Sequence, residues 1–207
     1  MHREVLTKPA AALFPTLSRF RGFYLAGGTA LALQIGHRVS VDFDLFCDDA
    51  IPRSVFERVQ RVFAGAELSP LVNNADELTV LVNGVKITFL TYPFPAREPF
   101  VRYDDVLLLS VREIATTKAY TIGRRGSFKD YVDLYFVIAE ERATLAGIIA
   151  GAERKFGADF NSRLFLEQLV YLADLDDTEV QFIKPVVTAE EIQTFFEERI
   201  REIAVAL

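Results

Sequence analysis

Tryptophan is missing from this chain, methionine and cysteine occur once each, and two histidines are the only ones in 207 residues. With Cys47 alone, no disulfide framework within the chain can form, and with neither a cysteine partner nor a conventional zinc spacing beside it Cys47 reads as a small packing residue. His2 and His37 have no second histidine nearby, so neither is expected to be a metal ligand, and His37 is kept outside the catalytic set. No apolar run is long enough to cross a bilayer and no leader pattern opens the chain, which makes the cytoplasm the expected compartment and a membrane an unexpected partner. Positive charge is not in excess either: 23 Lys and Arg against 29 Asp and Glu leave a net charge of −6. A surface built to coat nucleic acid without selectivity is therefore excluded. Internal repeats and low-complexity tracts are absent.

What is present is enough apolar material, 51% of the chain, to bury a full core, in one domain with an appendage rather than two equal domains. The most informative block is residues 23–46, FYLAGGTALALQIGHRVSVDFDLF. Phe23, Tyr24 and Leu25 form a short β-prone run, Gly27 and Gly28 break it, and Thr29 to Ile35 is rich in good helix formers, so the block predicts strand, tight turn, helix. The first N–H groups of such a helix lack partners and carry partial positive charge, which favours an anion. Glycines let the backbone approach a phosphate, and Thr29 adds a hydroxyl.

Further on, Val39, Val41, Phe43 and Leu45 alternate with Ser40, Asp42, Asp44 and Phe46, the period of a strand, which puts Asp42 and Asp44 on one face. Two adjacent carboxylates repel unless a cation lies between them, and oxygen-only ligands suit Mg²⁺, which commonly bridges protein carboxylates and substrate phosphates. Either motif alone is ordinarily a turn or a solvated strand face. Together and in this order they predict a divalent metal site beside a phosphate-binding turn.

The rest of the chain supplies an architecture. Residues 3–20 predict an opening helix and Ile51 to Ala64 a second one after Pro52. Leu68 to Val72, Leu78 to Val82 and Val85 to Thr91 read as strands, the last two joined by an Asn83-Gly84 hairpin turn. Beyond Pro93, Pro95 and Pro99 the pattern becomes helical: Ser110 with Glu113 and Ser127 with Asp130 look like capping boxes, followed by helices over Thr144 to Phe156, Asn161 to Ala173 and Thr188 to Ala206. The fold class is α+β, a small mixed β-sheet flanked by helices and followed by a helical portion, with the proline-rich stretch as the boundary.

GGTALALQIGHRVSVDFDLF resembles the signature of the nucleotidyltransferase superfamily, Gly-Gly or Gly-Ser followed by Asp-x-Asp. Within it, the AbiEii/AbiGii toxin-like nucleotidyltransferases place an arginine and a small hydroxyl residue before the acidic pair, as Arg38 and Ser40 stand here. A second block, REIATTKAYTIGRRGSFKDYVDLYFV from Arg112 to Val137, is similar to that family's downstream segment of Lys, Arg and Lys/Arg-Asp-x-x-Asp-Leu. The resemblance implies a nucleotidyltransferase-like α/β core over 1–95 and a mainly helical portion over 96–207 that completes the active-site cleft. It also implies transfer of a nucleotidyl group from ATP or another NTP to a hydroxyl of a tRNA or a protein, by Mg²⁺ or Mn²⁺ held on Asp42 and Asp44, and a possible cognate antitoxin.

In that reading Gly27, Gly28 and Thr29 cradle phosphates, with Arg38 either contacting phosphate or bracing the acidic strand, and Ser40 beside them. Arg112, Lys118, Arg124, Arg125 and Lys129 form an uneven basic stretch; alone it is a solvated helix surface and basic loop, but beside the first block it becomes a phosphate clamp, with Lys118 as the contact. One departure stands out: superfamily members commonly carry a third carboxylate on a later strand, and the matching position is Thr88, which cannot act as a base near neutral pH. Asp130 or Asp133, three apart on one helix face, supplies the missing acid, or metal and positioning suffice, or transfer has been lost and the chain is a nucleotide-binding or protein-interaction module. The ordinary roles of these two are helix N-terminal stabilisation for Asp130 and a salt bridge for Asp133.

Overall fold

Among the described residues seven short strands form one mixed sheet. The structure, a computed structural model, describes residues 1–172, 175 and 179–205. Ala173 and Ala206, at which two predicted helices end, and the side chain of Arg125 lie outside the described residues. The chain divides into two compact units, Met1–Ser110 and Val111–Leu207.

In the first unit β1 (Tyr24–Ala26) pairs antiparallel with β2 (Phe43–Cys47) and parallel with β7 (Val106–Leu108). β2 runs parallel to β5 (Val85–Thr91), which continues through the Asn83-Gly84 turn, φ +49° and +80°, into β4 (Glu77–Val82) and then β3 (Leu68–Asn73). β6 (Val101–Tyr103) returns to β7 through Asp104 and Asp105, both left-handed at φ +46° and +62°. Two successive left-handed residues are what a two-residue hairpin turn needs. This hairpin lies beyond the proline-rich stretch, so the first unit runs to Ser110 rather than ending near residue 95: β7 is hydrogen-bonded to β1 and belongs to the same sheet.

Alternation sorts the sheet's faces. Phe43, Leu45 and Cys47 of β2 and Val85, Ile87 and Phe89 of β5 are buried, and Phe89 meets Phe20 at 4.9 Å and Phe23 at 5.1 Å between ring centroids. The other face of these strands carries Asp44, Phe46, Lys86, Thr88 and Leu90, all half-buried. The strand predicted from Val39 starts only at Phe43, because Val41 is 46% exposed and the segment before it is tied down by other bonds. The helices of this unit are α1 (Lys8–Leu13), α2 (Gly27–Ile35) and α3 (Val55–Val62). The predicted opening helix is broken into α1 and short 3-10 turns, with Pro15 at the second position of the turn over Phe14–Arg19.

The second unit is helical: α4 (Val111–Arg125), α5 (Phe128–Ala139), α6 (Leu145–Phe156), α7 (Ser162–Leu169) and α8 (Ala189–Val205). Ser127 and Asp130 form the predicted capping box, and Thr188 and Glu191 cap α8 reciprocally at 2.7 and 3.2 Å. Ser110 donates to Glu98 at 3.2 Å, and Glu113 forms a buried pair with Lys155 at 2.5 Å. α4 and α6 approach closely at Gly151, where a Cβ would lie 2.7 Å from Thr116 Oγ1. Among the described residues no helix is long and apolar enough to cross a membrane.

Candidate active site

The β1–α2 turn is the sharpest feature of the first unit. Gly27 has φ +65°, and a Cβ on it would lie 2.7 Å from Asp44 Oδ2. Both facts demand glycine: the left-handed conformation costs an L-residue about 1–2 kcal/mol, and the carboxylate occupies the space. Ala26, the residue before the helix, cannot cap it with a side chain, so the first N–H groups of α2 have no partner from that quarter. Asp44 is brought to this helix start by the strand register, which pairs it with Ala26.

Asp42 is set by a different device. Ser40 Oγ and Thr29 Oγ1 lie 2.6 Å apart, and Thr29 in turn donates to the Asp42 carbonyl. Ser40 N donates to Val5 O at 2.9 Å. Thr29 is only 3% exposed, so its hydroxyl fastens the approach to Asp42. Arg38, 4% exposed, donates from Nη1 to Val39 O at 3.1 Å, which favours bracing of this segment over contact with a phosphate. His37 is fully buried nearby in sequence, at the end of α2.

Three residues of this face, Lys86, Thr79 and Glu77, escaped the sequence reading. Lys86 Nζ lies 3.1 Å from Asp42 Oδ2; that bond raises the Lys86 pKa above the ordinary lysine range, burial opposes it, and the charges of Asp42, Asp44 and Glu77 add to it. Thr88 stands beside Asp44 in the parallel β2–β5 register, so the position matched to the expected third acid does adjoin the acidic pair. Next to it on β4, Thr79 Oγ1 lies 3.2 Å from Thr88 Oγ1 and donates to Glu77 Oε1 at 2.6 Å. Lys86, Thr79 and Glu77 carry no local signal, because only the pairing of strands distant in sequence puts them here.

In the second unit, Lys118, Asp130 and Asp133 come together. Lys118 Nζ is 2.6 Å from Asp130 Oδ1 and 2.5 Å from Asp133 Oδ2, and Asp133 is 0% exposed. Asp130 also accepts the Ser127 N–H at 2.9 Å with its other oxygen, so it serves the helix start as well as the lysine. Among the described side chains of the basic stretch, Arg112 is exposed, and Arg124 lies over the Tyr120 ring at 3.7 Å and donates to Asp159 O at 2.8 Å.

Among the described residues no three His, Cys, Asp or Glu side chains are grouped as a metal cage. Asp42 and Asp44 nevertheless fit a hard divalent ion, being oxygen donors that already gather a lysine ammonium. Two carboxylates are the complement that Mg²⁺ takes when phosphate oxygens and water fill the remaining positions.

The sequence profile of a family described as nucleotidyl transferase AbiEii toxin, type IV toxin-antitoxin system, matches residues 11–204. An uncharacterized protein of Aquifex aeolicus is 32% identical over 183 residues, 87% of each chain. Among solved structures, the nucleotidyltransferase toxin MenT4 of Mycobacterium tuberculosis is similar with a TM-score of 0.58 at 17% identity, covering 92% of this chain and 78% of that one. A provisionally assigned nucleotidyltransferase of H. pylori has a TM-score of 0.57 at 16% identity, covering 95% and 93%. At such identities these two likenesses speak for the fold.

Proposed function

The chain belongs to the AbiEii nucleotidyltransferase toxin family, and from that premise we propose that it moves an NMP group from an NTP to a hydroxyl of a tRNA or protein, as the toxin of a toxin-antitoxin pair. The observation that carries this reading is the fit of Asp44 against Gly27: a carboxylate for a metal adjoins a helix start that Ala26 does not cap, a place suited to phosphate.

The roles follow from chemistry. The N–H groups at the start of α2, over Gly27, Gly28 and Thr29, bind phosphate oxygens. Asp42 and Asp44 hold Mg²⁺ or Mn²⁺, which when bound supplies positive charge against the triphosphate. Thr29 and Ser40 position Asp42, and Arg38 braces the segment between them. In transfer the acceptor oxygen forms a bond to the α-phosphorus, the bond to the bridging oxygen breaks, and pyrophosphate leaves with that electron pair. In the second unit, Lys118 is proposed to neutralise phosphate charge, with Asp130 and Asp133 setting its position and charge. A cognate antitoxin is the expected protein partner.

Thr88 favours one other reading, a nucleotide-binding module with little transfer activity, since an acid is missing beside Asp44. Purified protein incubated with Mg²⁺, each α-labelled NTP and total RNA and protein extract separates the two. Label in a macromolecule that disappears with Asp42→Ala supports the transferase; NTP binding with no transfer to any acceptor supports the module.

A further inference from the structure

The sheet face that carries Asp44 continues into a row of aromatic side chains. Phe46 stands two residues beyond Asp44 on β2, about 7 Å along the strand, and the antiparallel register sets Tyr24 of β1 opposite it. Their ring centroids are 6.3 Å apart. Past the end of β5, Tyr92 donates its N–H to Cys47 O at 2.8 Å, which brings its ring onto Phe46 in a stack at 4.8 Å; Phe94 follows at 5.8 Å from Tyr92. At the other end Phe100 meets Tyr24 at 4.7 Å. Five rings thus cross the strands one step from the acid.

Tyr24 anchors the row: it is 5% exposed and donates its hydroxyl to Asp48 Oδ1 at 3.1 Å. The others stay open to solvent, with Phe46, Tyr92 and Phe94 half-buried and Phe100 38% exposed. Pro93, Pro95 and Pro99 flank Phe94 and precede Phe100, and each fixes one backbone angle. Rings presented in this way have little freedom to lose when a flat ligand settles on them.

Direction along the face assigns the ligand. β1 leads from Tyr24 through Ala26 into the start of α2, so the phosphate cradle and the row lie on opposite sides of Asp44. In-line displacement brings the acceptor oxygen to the α-phosphorus from the side away from the departing pyrophosphate. With pyrophosphate toward α2, the acceptor arrives over the rings. We propose that this row is a stacking site for an unpaired nucleobase at the acceptor's end, so that the acceptor is a single-stranded RNA end and not a protein. This rests on the nucleotidyl-transfer reading and chooses between the two acceptors named there. Unpaired RNA ends are held by bases stacked on aromatic side chains, and stacking makes no demand on the chain's net charge of −6.

Because tryptophan is absent from the chain, Phe100→Trp places a single fluorescent reporter at the open end of the row. Single-stranded oligoadenylate is expected to quench it saturably, whereas the same strand paired with oligouridylate, or inorganic polyphosphate, is expected to leave it unchanged. Every base has a flat face, so this probe serves in place of the natural acceptor. With α-labelled NTP, Mg²⁺ and total RNA, Phe100→Ala and Tyr92→Ala are each expected to raise KM for RNA about 10-fold, the scale of one lost base stack. KM for NTP should not move, Phe100→Trp and Tyr92→Phe should keep the wild-type KM, and melting temperatures check that each variant is folded. The stacking site is overturned, with nucleotidyl transfer left standing, by any of three results: polyphosphate quenching as strongly as the single strand, Mg²⁺ and NTP giving all the quenching with none added by RNA, or label confined to protein. Saturable quenching by the single strand with no transfer to any acceptor would instead overturn the transfer reading and leave the rings as a nucleic-acid site.

Discussion

Asp44 carries its Oδ2 to 2.7 Å from the point where a Cβ on residue 27 would sit, so the helix start and the acid are fitted to each other through Gly27. Substituting Gly27→Ala forces a side chain into a left-handed conformation and against a carboxylate. Strain of about 1–2 kcal/mol lowers the melting temperature by a few degrees for a chain of this size. Transfer should vanish at temperatures where the variant is still folded, since relief of the contact moves Asp44. Thermal melts paired with the label-transfer assay check this, and a folded, fully active Gly27→Ala protein would disprove the fit.

Lys86 neutralises Asp42 at 3.1 Å and stands where a divalent ion has to compete. Lys86→Met therefore predicts several-fold tighter Mn²⁺ binding in the absence of nucleotide, as a neighbouring positive charge is removed from an anionic site. Calorimetric titration reads it directly. Weaker Mn²⁺ binding in this variant would mean that the ion does not use Asp42.

These two cases mark how far the sequence could be read. Gly27 and Asp44 were legible because their signals are local, a glycine break before a helix and a two-residue alternation, whereas Asp42 precedes the strand and is set by the Thr29 bond. The Asn83-Gly84 hairpin was legible for the same reason, whereas the Asp104-Asp105 turn was missed because two aspartates are a weaker turn signal than Asn-Gly, and β6 and β7 are three residues each. Lys86 and Glu77 were illegible in principle. They reach the acidic face only through the parallel pairing of β2 with β5 and the hairpin to β4, a register that no short window contains. Val41 was misassigned since alternation continues through it, although the bonds from Thr29 and Ser40 hold that stretch out of the sheet.

The Lys118 cluster should reveal itself through a split between stability and activity. Lys118→Met leaves the fully buried Asp133 without the ammonium now 2.5 Å away, a loss on the order of 3–5 kcal/mol by urea denaturation. Adding Asp133→Asn removes the stranded charge and should restore much of that stability. Transfer should remain absent in the double variant. Recovery of both would show the cluster to be scaffold only.

Tyr131 gives the fold an alkaline limit. Its hydroxyl donates to Gln168 O at 3.0 Å, and burial first, then the Asp130 charge, push its pKa up to about 12. The unfolded value is about 10, so the unfolded state loses its proton first as pH rises. The associated stability is complete below about pH 10 and is lost progressively as pH climbs through about 12, on the order of 2–3 kcal/mol. Tyr131→Phe should cost about 1 kcal/mol at neutral pH yet flatten the decline in that window. An alkaline unfolding curve unchanged by the substitution would refute the assignment.

The most direct measurement of nucleotidyl transfer places the label first on the α-phosphate and then on the γ-phosphate of each NTP, with Mg²⁺ and total RNA and protein extract, for the wild type and Asp44→Asn. Nucleotidyl transfer predicts that α-label enters a macromolecule, γ-label leaves with pyrophosphate, and Asp44→Asn abolishes the incorporation. Incorporation of γ-label, or α-label incorporation undiminished in Asp44→Asn, would contradict it.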